Sequence, residues 1–221
     1  MRGEMRLADT PRSTEMASAH GDEHVRRMAT AFLEGPGDGM VKILALVLTS
    51  AWNPASHRNM VIVAGIPNED HELAFELLEC GNELWAKPAG EFCRGALLEQ
   101  VTAGLLMRRE CAVLEEQRVG PLDPRWWTDG MSDPIDFVLP DGPEFYECKT
   151  NIRKIASKHV NQFGLIHDLD PLSLTAFVTL QKAATLADWL SEFAVTRPIL
   201  AFTWENILAA ARGPADMQVA P

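Results

Sequence analysis

The sequence lacks the cysteine patterns that would indicate a cross-linked or metal-bound scaffold. It contains four cysteines, and no two of them form a C-x-x-C pair. We therefore expect neither a structural zinc site nor a disulfide framework. Unpaired cysteines are usual in a reducing compartment, and this favours a cytoplasmic location.

The sequence also shows no apolar stretch typical of a signal peptide or a membrane-spanning helix. The first twelve residues mix charged and polar side chains and contain no apolar stretch typical of a signal peptide. The longest apolar stretch, around Ile43–Leu48, is much shorter than the roughly 20 residues of a membrane-spanning helix. The sequence therefore predicts a protein without a membrane partner.

Several catalytic signatures are absent. No G-x-x-x-x-G-K-[ST] loop occurs, so we do not expect the chain itself to hydrolyse ATP. The six histidines show no spacing typical of metal ligands, and no Ser-His-Asp arrangement stands out. The net charge of −11 argues against nucleic-acid binding driven by global charge, but it leaves room for a local basic strip.

The length and composition fit an α/β protein. The chain has 221 residues, of which 47% are hydrophobic, enough for one α/β domain with an N-terminal appendage. We predict a flexible start over residues 1–22, a helical and strand appendage over 23–90, and a core over 91–221. In that core, a central mixed sheet is flanked by helices.

The periodicity of apolar residues predicts the individual elements. In chain order these are a helix over His24–Glu34, a strand over Met60–Ile66, helices over Glu69–Trp85 and Glu91–Glu116, two strands within Ser132–Thr150, a basic helix over Ile152–Phe163, a strand over Leu172–Leu180, a helix over Thr185–Ala194, a strand over Ile199–Thr203 and a helix over Trp204–Arg212. Met40–Trp52 fits either a helix or a buried strand, and Val113–Trp127 is the ambiguous segment that would supply a further strand.

The most informative segment contains a hairpin signal at Asp141-Gly142, which favours a two-residue turn. A hairpin centred there places Asp136 directly opposite Glu147. Because side chains alternate between the faces of a strand, Lys149 shares the face of Glu147. Two prolines flank the turn and cannot donate ladder hydrogen bonds, so the alternative is a looser loop with a slipped register.

Two carboxylates opposed across a sheet repel each other unless something compensates. A divalent cation does so, and Mg²⁺ binds one or two carboxylates together with waters. The metal acts as a Lewis acid and lowers the pKa of a bound water, while a lysine beside it can orient that water and offset the charge of a phosphate. The cluster of Asp136, Glu147 and Lys149 therefore predicts metal-assisted phosphodiester hydrolysis. The alternative is a solvated sheet face with an ordinary Lys–Glu pair.

Asp136 followed after a hairpin by Glu147-Cys148-Lys149 resembles the PD-(D/E)xK nuclease superfamily, whose fold is the restriction-endonuclease-like fold. Its members share a helix, a three-stranded meander, a helix and a further strand, and the resemblance covers roughly Glu91–Gln181. It implies that Asp136 and Glu147 bind the metal with the backbone carbonyl of Cys148, and that Lys149 is the catalytic lysine. Ile135 stands where the family motif has proline.

The same resemblance implies an acidic residue on the first helix, and Glu99 matches it, with Glu110 as a second candidate and a plain helix-surface role as the alternative.

The segment after the motif carries an excess of positive charge. We expect it to track nucleic-acid phosphates, with a plain solvated helix face as the alternative; the candidate residues are Arg153, Lys154, Lys158 and Gln162. Trp126-Trp127 could stack on a base, although core packing suits such residues as well.

The sequence thus predicts a nuclease that uses Mg²⁺ or Mn²⁺ and hydrolyses nucleic acid, with DNA favoured over RNA. Restriction or antiviral defence is the setting that the family suggests. Because the body of the protein is acidic, we expect self-association or a partner subunit to deliver the substrate. The alternative is a catalytically silent member of the fold that serves as a binding or assembly module.

Overall fold

The computed structural model describes residues 5–34, 43–44, 47–48, 59, 61–62, 65–121, 133–193 and 199–203. Its strands are β1 (Met5–Asp9), β2 (Leu114–Pro121), β3 (Ile135–Leu139), β4 (Glu144–Cys148), β5 (Leu174–Val178) and β6 (Leu200–Phe202). Its fully bounded α-helices are α1 (Thr14–Gly21), α2 (Glu23–Glu34), α3 (His71–Ala86), α4 (Gly90–Met107), α5 (Ser157–Leu169) and α6 (Ala183–Leu190), and 3₁₀ helices span Asn68–Asp70 and Ile152–Lys154.

The strands form one mixed sheet in which spatial order follows chain order. Within the described residues the sheet has six strands, β1 to β6. The pairs from β1 to β4 are antiparallel, whereas β4–β5 and β5–β6 are parallel. Parallel neighbours need a crossover connection, and α5 and α6 supply the two crossovers. This confirms the predicted α/β class with a central mixed sheet.

The chain divides into two compact units. The sheet unit contains residues up to Arg12 and Arg109–Thr203, and the helical unit contains Ser13–Arg108. The predicted boundaries differ, since they place the long helix α4 with the sheet. In the helical unit α4 packs against α1 and α2, and its side chains are buried on nearly every side.

The core of the sheet unit lies between the sheet and the crossover helices. Phe163 of α5 packs on Phe177 of β5, with ring centroids 4.8 Å apart. Further buried residues of this core come from β2, β3, β4, α5, α6 and the segment between β4 and α5. Burying a side chain of this size contributes about 1.5–3 kcal/mol, so this core stabilises the packing of α5 and α6 on the sheet.

Three expectations about secondary structure in the part of the chain before β3 are wrong. The start of the chain is not irregular, because residues 5–9 pair with β2 as an edge strand and residues 14–21 form α1 with Ser13 as its N-cap. The run Met60–Ile66 is not a strand where it is described: Val61 and Ile62 are helical. Short apolar runs do not separate helix from strand by pattern alone, and tertiary context decides.

The third error concerns the long helix, which ends at Met107 and does not reach Glu116. Leu114–Pro121 is instead the further strand that the ambiguous Val113–Trp127 segment would supply. The predicted helix over Trp204–Arg212 lies outside the described residues. Among the described residues, no helix is long and apolar enough to span a bilayer.

Candidate active site on the β3–β4 hairpin

The β3–β4 hairpin has the register that the sequence predicts. Phe137 pairs with Tyr146, and Leu139 pairs with Glu144. The ladder ends there, so the connection spans residues 140–143 and is longer than the two-residue turn expected from Asp141-Gly142. The prolines at the two ends of this connection cannot donate ladder bonds, which explains the longer loop without a slip in register.

One step beyond the pair Phe137–Tyr146, the same register sets Asp136 opposite Glu147. A side-chain contact fixes Asp136 there: its Oδ2 accepts a hydrogen bond from the backbone N–H of Cys148 at 2.5 Å. Glu147 is buried, with 4% of its surface exposed, whereas Asp136 is half-buried. The two carboxylate-bearing residues therefore lie on adjacent strands, one of them almost wholly removed from water.

Lys149 follows β4 and supplies the positive charge of this cluster. Its Nζ donates to Oε1 of Glu147, and its backbone N–H donates to the carbonyl of Val178 at 2.8 Å. Burial lowers the pKa of the Lys149 ammonium group, but the charges of Glu147 and Asp136 and the hydrogen bond to Glu147 raise it more. The net pKa lies well above its usual value, so Lys149 is a cation at neutral pH.

The donor atoms suit a hard cation that keeps several waters. Asp136 and Glu147 offer carboxylate oxygens, and Cys148, the residue after Glu147, offers a backbone carbonyl. Among the described residues no group of three or more His, Cys, Asp or Glu side chains could hold a metal, so an all-side-chain cage is not available there. Mg²⁺ is bound by one or two carboxylates and waters, and Mn²⁺ also accepts oxygen ligands. The residues present therefore fit such an ion.

Glu99 lies on α4 in the helical unit, and it is not the solvated surface residue that the alternative interpretation assumes. It is 5% exposed, and its Oε2 lies 2.8 Å from Nε2 of His20 on α1. His20 is separated from it by 79 positions, so no local sequence signal indicates this pair. The predicted role of Glu99 beside the metal stays a prediction. Glu110 is exposed and has a left-handed φ of 56° after α4.

The basic segment after β4 is divided into two pieces, which corrects the single helix predicted over Ile152–Phe163. Arg153 and Lys154 are exposed on the 3₁₀ helix, and α5 begins only at Ser157. Ile155 separates the two pieces in an extended conformation. It is 2% exposed, so burial of its side chain in the core interrupts the helix.

Lys158 and Gln162, both on α5, form hydrogen bonds with Asp133, which lies two residues before β3. The Lys158 ammonium group donates to the carboxylate of Asp133, and Nε2 of Gln162 donates to the Asp133 backbone carbonyl at 2.5 Å. The hydrogen bond from Lys158 is the largest cause that lowers the pKa of Asp133. These contacts connect the start of α5 to the start of β3, a structural task that the sequence did not indicate.

His159 is a residue near this site to which sequence reasoning assigned no role. It is 7% exposed on the first turn of α5, and its Nδ1 accepts the backbone N–H of Ala156 at 2.9 Å. Burial, followed by the charges of Lys149 and Lys158, lowers the pKa of His159 to about 4, against the opposing charge of Asp133. The only available signal was its position three residues after the helix N-cap.

The opposite end of β4 carries a second polar cluster. Arg109 donates two hydrogen bonds to Glu144, at 2.5 and 2.7 Å, and the hydroxyl of Tyr146 donates to Glu144 at 2.5 Å. Burial raises the pKa of Glu144, but its bonds to Arg109 and Tyr146 lower it more. The hydrogen bonds among Arg109, Glu144 and Tyr146 therefore stabilise the hairpin at its turn end.

The pair Trp126-Trp127 lies outside the described residues. Comparison of the chain with protein-family models, with curated proteins and with solved structures gave no match.

Proposed function

We propose that the chain is a metal-dependent nuclease that hydrolyses phosphodiester bonds, with DNA favoured over RNA as the substrate. The observation that carries the proposal is the β3–β4 register, which brings Asp136, Glu147 and Lys149 together. Oδ2 of Asp136 is bonded to the Cys148 amide, and Nζ of Lys149 is bonded to Glu147. Two carboxylates can bind a divalent cation, and a lysine beside them can orient a water next to a phosphate.

The order of elements supports the proposal. From Gly90 to Val178 the chain runs through a helix, three antiparallel strands, a helix and a strand parallel to the third. This is the order expected from the resemblance to the PD-(D/E)xK superfamily. The alternative of a solvated Lys–Glu pair on a sheet face fits less well, because the Lys149 and Glu147 side chains are 18% and 5% exposed.

Each residue has a chemical role in this proposal. A bound divalent cation would supply Lewis acidity and activate a water. Asp136 and Glu147 would hold it, and the Asp136 bond to the Cys148 amide keeps the first carboxylate oriented before the cation arrives. Lys149 is positively charged in a mostly buried position, so it can orient the attacking water and offset the negative charge on the phosphate.

Cleavage of plasmid and single-stranded DNA with Mg²⁺, with Mn²⁺ or with EDTA tests the proposal directly. We expect cleavage with either metal and none with EDTA. Asp136→Asn and Glu147→Gln should each reduce the rate by several orders of magnitude, since members of one catalytic unit fail together. Asp141→Asn is the matched control, because Asp141 is exposed in the turn of the same hairpin and should cleave like wild type.

The outcomes separate the nuclease from the silent module. A chain that cleaves equally well with Asp136→Asn and in wild type is not the proposed enzyme. A folded wild-type chain that binds DNA without cutting it under any metal condition favours the binding module instead. Glu99→Gln adds a separate test, since unchanged kcat/KM in a stably folded variant removes Glu99 from the site.

A further inference from the structure

Two segments leave the sheet side by side at the carboxyl ends of β4 and β5. Cys148 and Val178 are partners in the parallel ladder, and the backbone N–H of Lys149 donates to the carbonyl of Val178 at 2.8 Å. Lys149 therefore lies next to Thr179, at the distance of about 4.8 Å that separates neighbouring strands. Because the two strands run in the same direction, the segments that follow them begin at the same edge of the sheet.

The 3₁₀ helix that follows β4 and the helix α6 that follows β5 pack against each other. The two helices are in contact, and Ile152 and Leu186 belong to the same buried core. Nε1 of Trp189 on α6 also donates to the carbonyl of Ile155 at 3.3 Å. The exposed side chains of the two segments therefore lie on neighbouring parts of the surface of the sheet unit.

Lys182 is the cation that the second segment adds to this surface. It is exposed and immediately precedes α6. It follows Thr179 by three residues, so the two Cα atoms are at most about 10 Å apart. Among the described residues Lys182 forms no ion pair, and the same holds for Arg153 on the 3₁₀ helix. Both side chains can therefore bind an anion from solution.

Acidic residues are missing from both segments, although the chain as a whole is acidic. The net charge is −11, yet no Asp or Glu occurs within residues 149–167 or 172–187. Asp133, which precedes β3 at the same edge of the sheet, is already bonded to Lys158. The local excess of positive charge therefore comes from the cations of the two segments, and the charge of Lys158 is balanced by its own carboxylate partner.

We propose that Lys182, together with Arg153 and Lys154, forms a surface that binds the DNA backbone beyond the candidate site, and that Lys158 does not belong to it. The proposal rests on the proposed function for the identity of the polyanion. The two distances given above place Lys182 within about 15 Å of Lys149, which is roughly four nucleotides at 3.4 Å each. Contacts to phosphates position a strand without reading its bases, so the surface acts on every sequence alike.

Binding of a short DNA duplex by the full chain in EDTA tests this surface without cleavage. Fluorescence anisotropy at a series of salt concentrations gives the slope of log K against log salt, to which each phosphate contact contributes about −0.9. Lys182→Gln should reduce the slope by about 0.9, so that the ratio of wild-type to variant affinity falls about eightfold for a tenfold rise in salt. Its melting temperature should match wild type, because the side chain is exposed.

Two further variants separate a local contact from the overall charge. Lys182→Arg keeps the positive charge and should keep the wild-type slope. Lys158→Gln is the matched control, because it removes the same charge from the same unit of the protein. Since Lys158 is bonded to Asp133, this variant should leave the slope unchanged.

An unchanged slope in Lys182→Gln, an equal reduction in Lys158→Gln, or no duplex binding by the wild-type chain would each overturn this surface. The proposed function has its own readout, cleavage with Mg²⁺. A chain that binds the duplex through Lys182 and does not cleave it keeps the surface and loses the nuclease activity. A chain that cleaves, and in which Lys182→Gln has the wild-type slope, keeps the activity and loses the surface.

Discussion

Removal of the Lys149 ammonium group should destabilise the sheet unit strongly, quite apart from any effect on catalysis. Lys149 is bonded to Glu147, and its ammonium group also interacts with the charge of Asp136. In Lys149→Ala, two neighbouring carboxylates keep their negative charges and lose this cation. One of them, Glu147, is 4% exposed and gains little solvation from water.

The burial of the pair gives the expected size of the effect. Breaking a buried ion pair by removing one partner costs about 3–5 kcal/mol, because the remaining charge is left uncompensated. The Lys149 side chain is 18% exposed, so the lower end of that range, about 3 kcal/mol, is appropriate. In a chain of this size each kcal/mol lowers the melting temperature by about 2–4 °C, and the expected loss is about 6–12 °C.

Lys158→Ala is the matched control because it removes a lysine–carboxylate pair from the same unit. Lys158 and Asp133 are 65% and 51% exposed, and exposed pairs contribute about 0–1 kcal/mol after screening by solvent. Urea unfolding and thermal melting at pH 7 in EDTA measure both variants. If Lys149→Ala loses no more stability than Lys158→Ala, the buried pair is not the stabilising contact argued here.

Magnesium provides the second half of this test. A cation that binds the folded chain alone raises its stability by mass action. In Lys149→Ala a cation would also replace the missing positive charge, so Mg²⁺ should raise the melting temperature more in this variant than in wild type. An equal or smaller shift would argue against a cation held by Asp136 and Glu147.

The remaining predictions concern pH and salt. Glu144→Gln should destabilise the chain at pH 7 and match wild type at low pH: the folded pKa of Glu144 lies below its usual 4.5, so its bond to Arg109 contributes above that value and is lost as the pH falls through the folded pKa. A difference from wild type in urea unfolding that persists unchanged at pH 3 would contradict this. The pKa of His159 is about 4 in the folded chain, against a usual 6.5. As the pH falls between these two values, the unfolded chain takes up the proton first, so the free energy of unfolding should fall by at most about 3 kcal/mol. In His159→Asn, the plot of the free energy of unfolding against pH should be flatter in this range. Replacement of Arg153 and Lys154 by Gln should weaken DNA binding and reduce the slope of log K against log salt by about 2, and an unchanged slope in anisotropy titrations would mean that this pair is only solvated.

The hairpin was predictable because its register depends on local chemistry. Asp141-Gly142 fixes the centre of the connection, and the alternation of side chains then fixes which residues share a face. The loop length was not predictable to the same degree, since Pro140 and Pro143 both fit a turn and both exclude ladder bonds. The pairing survived this error because two residues were added symmetrically around the same centre.

Strand β2 was indicated only as the ambiguous segment Val113–Trp127, because its sequence is polar and its partners are distant. Glu115 and Glu116 bind Arg12, and Gln117 binds Asp9, across about 100 residues of chain. A strand stabilised by such contacts does not show alternation of apolar and polar residues. Glu116 also has a φ of 51°, a left-handed conformation that is uncommon outside glycine and that no propensity indicates.

The candidate site shows how an acidic protein can present an environment suited to phosphate. The net charge of −11 disfavours association with nucleic acid at long range, so in the proposed nuclease the attraction would have to come from groups close to the phosphate. Burial lowers the pKa of Lys149, but the charges of Glu147 and Asp136 raise it more, whereas burial, followed by the charges of Lys149 and Lys158, lowers the pKa of His159. Lys149 thus stays a cation, and its charge is one of the causes that keep His159 neutral. In the proposed nuclease, Lys149 would offset the charge of the phosphate, and a neutral His159 would add no further positive charge to compete with a divalent cation.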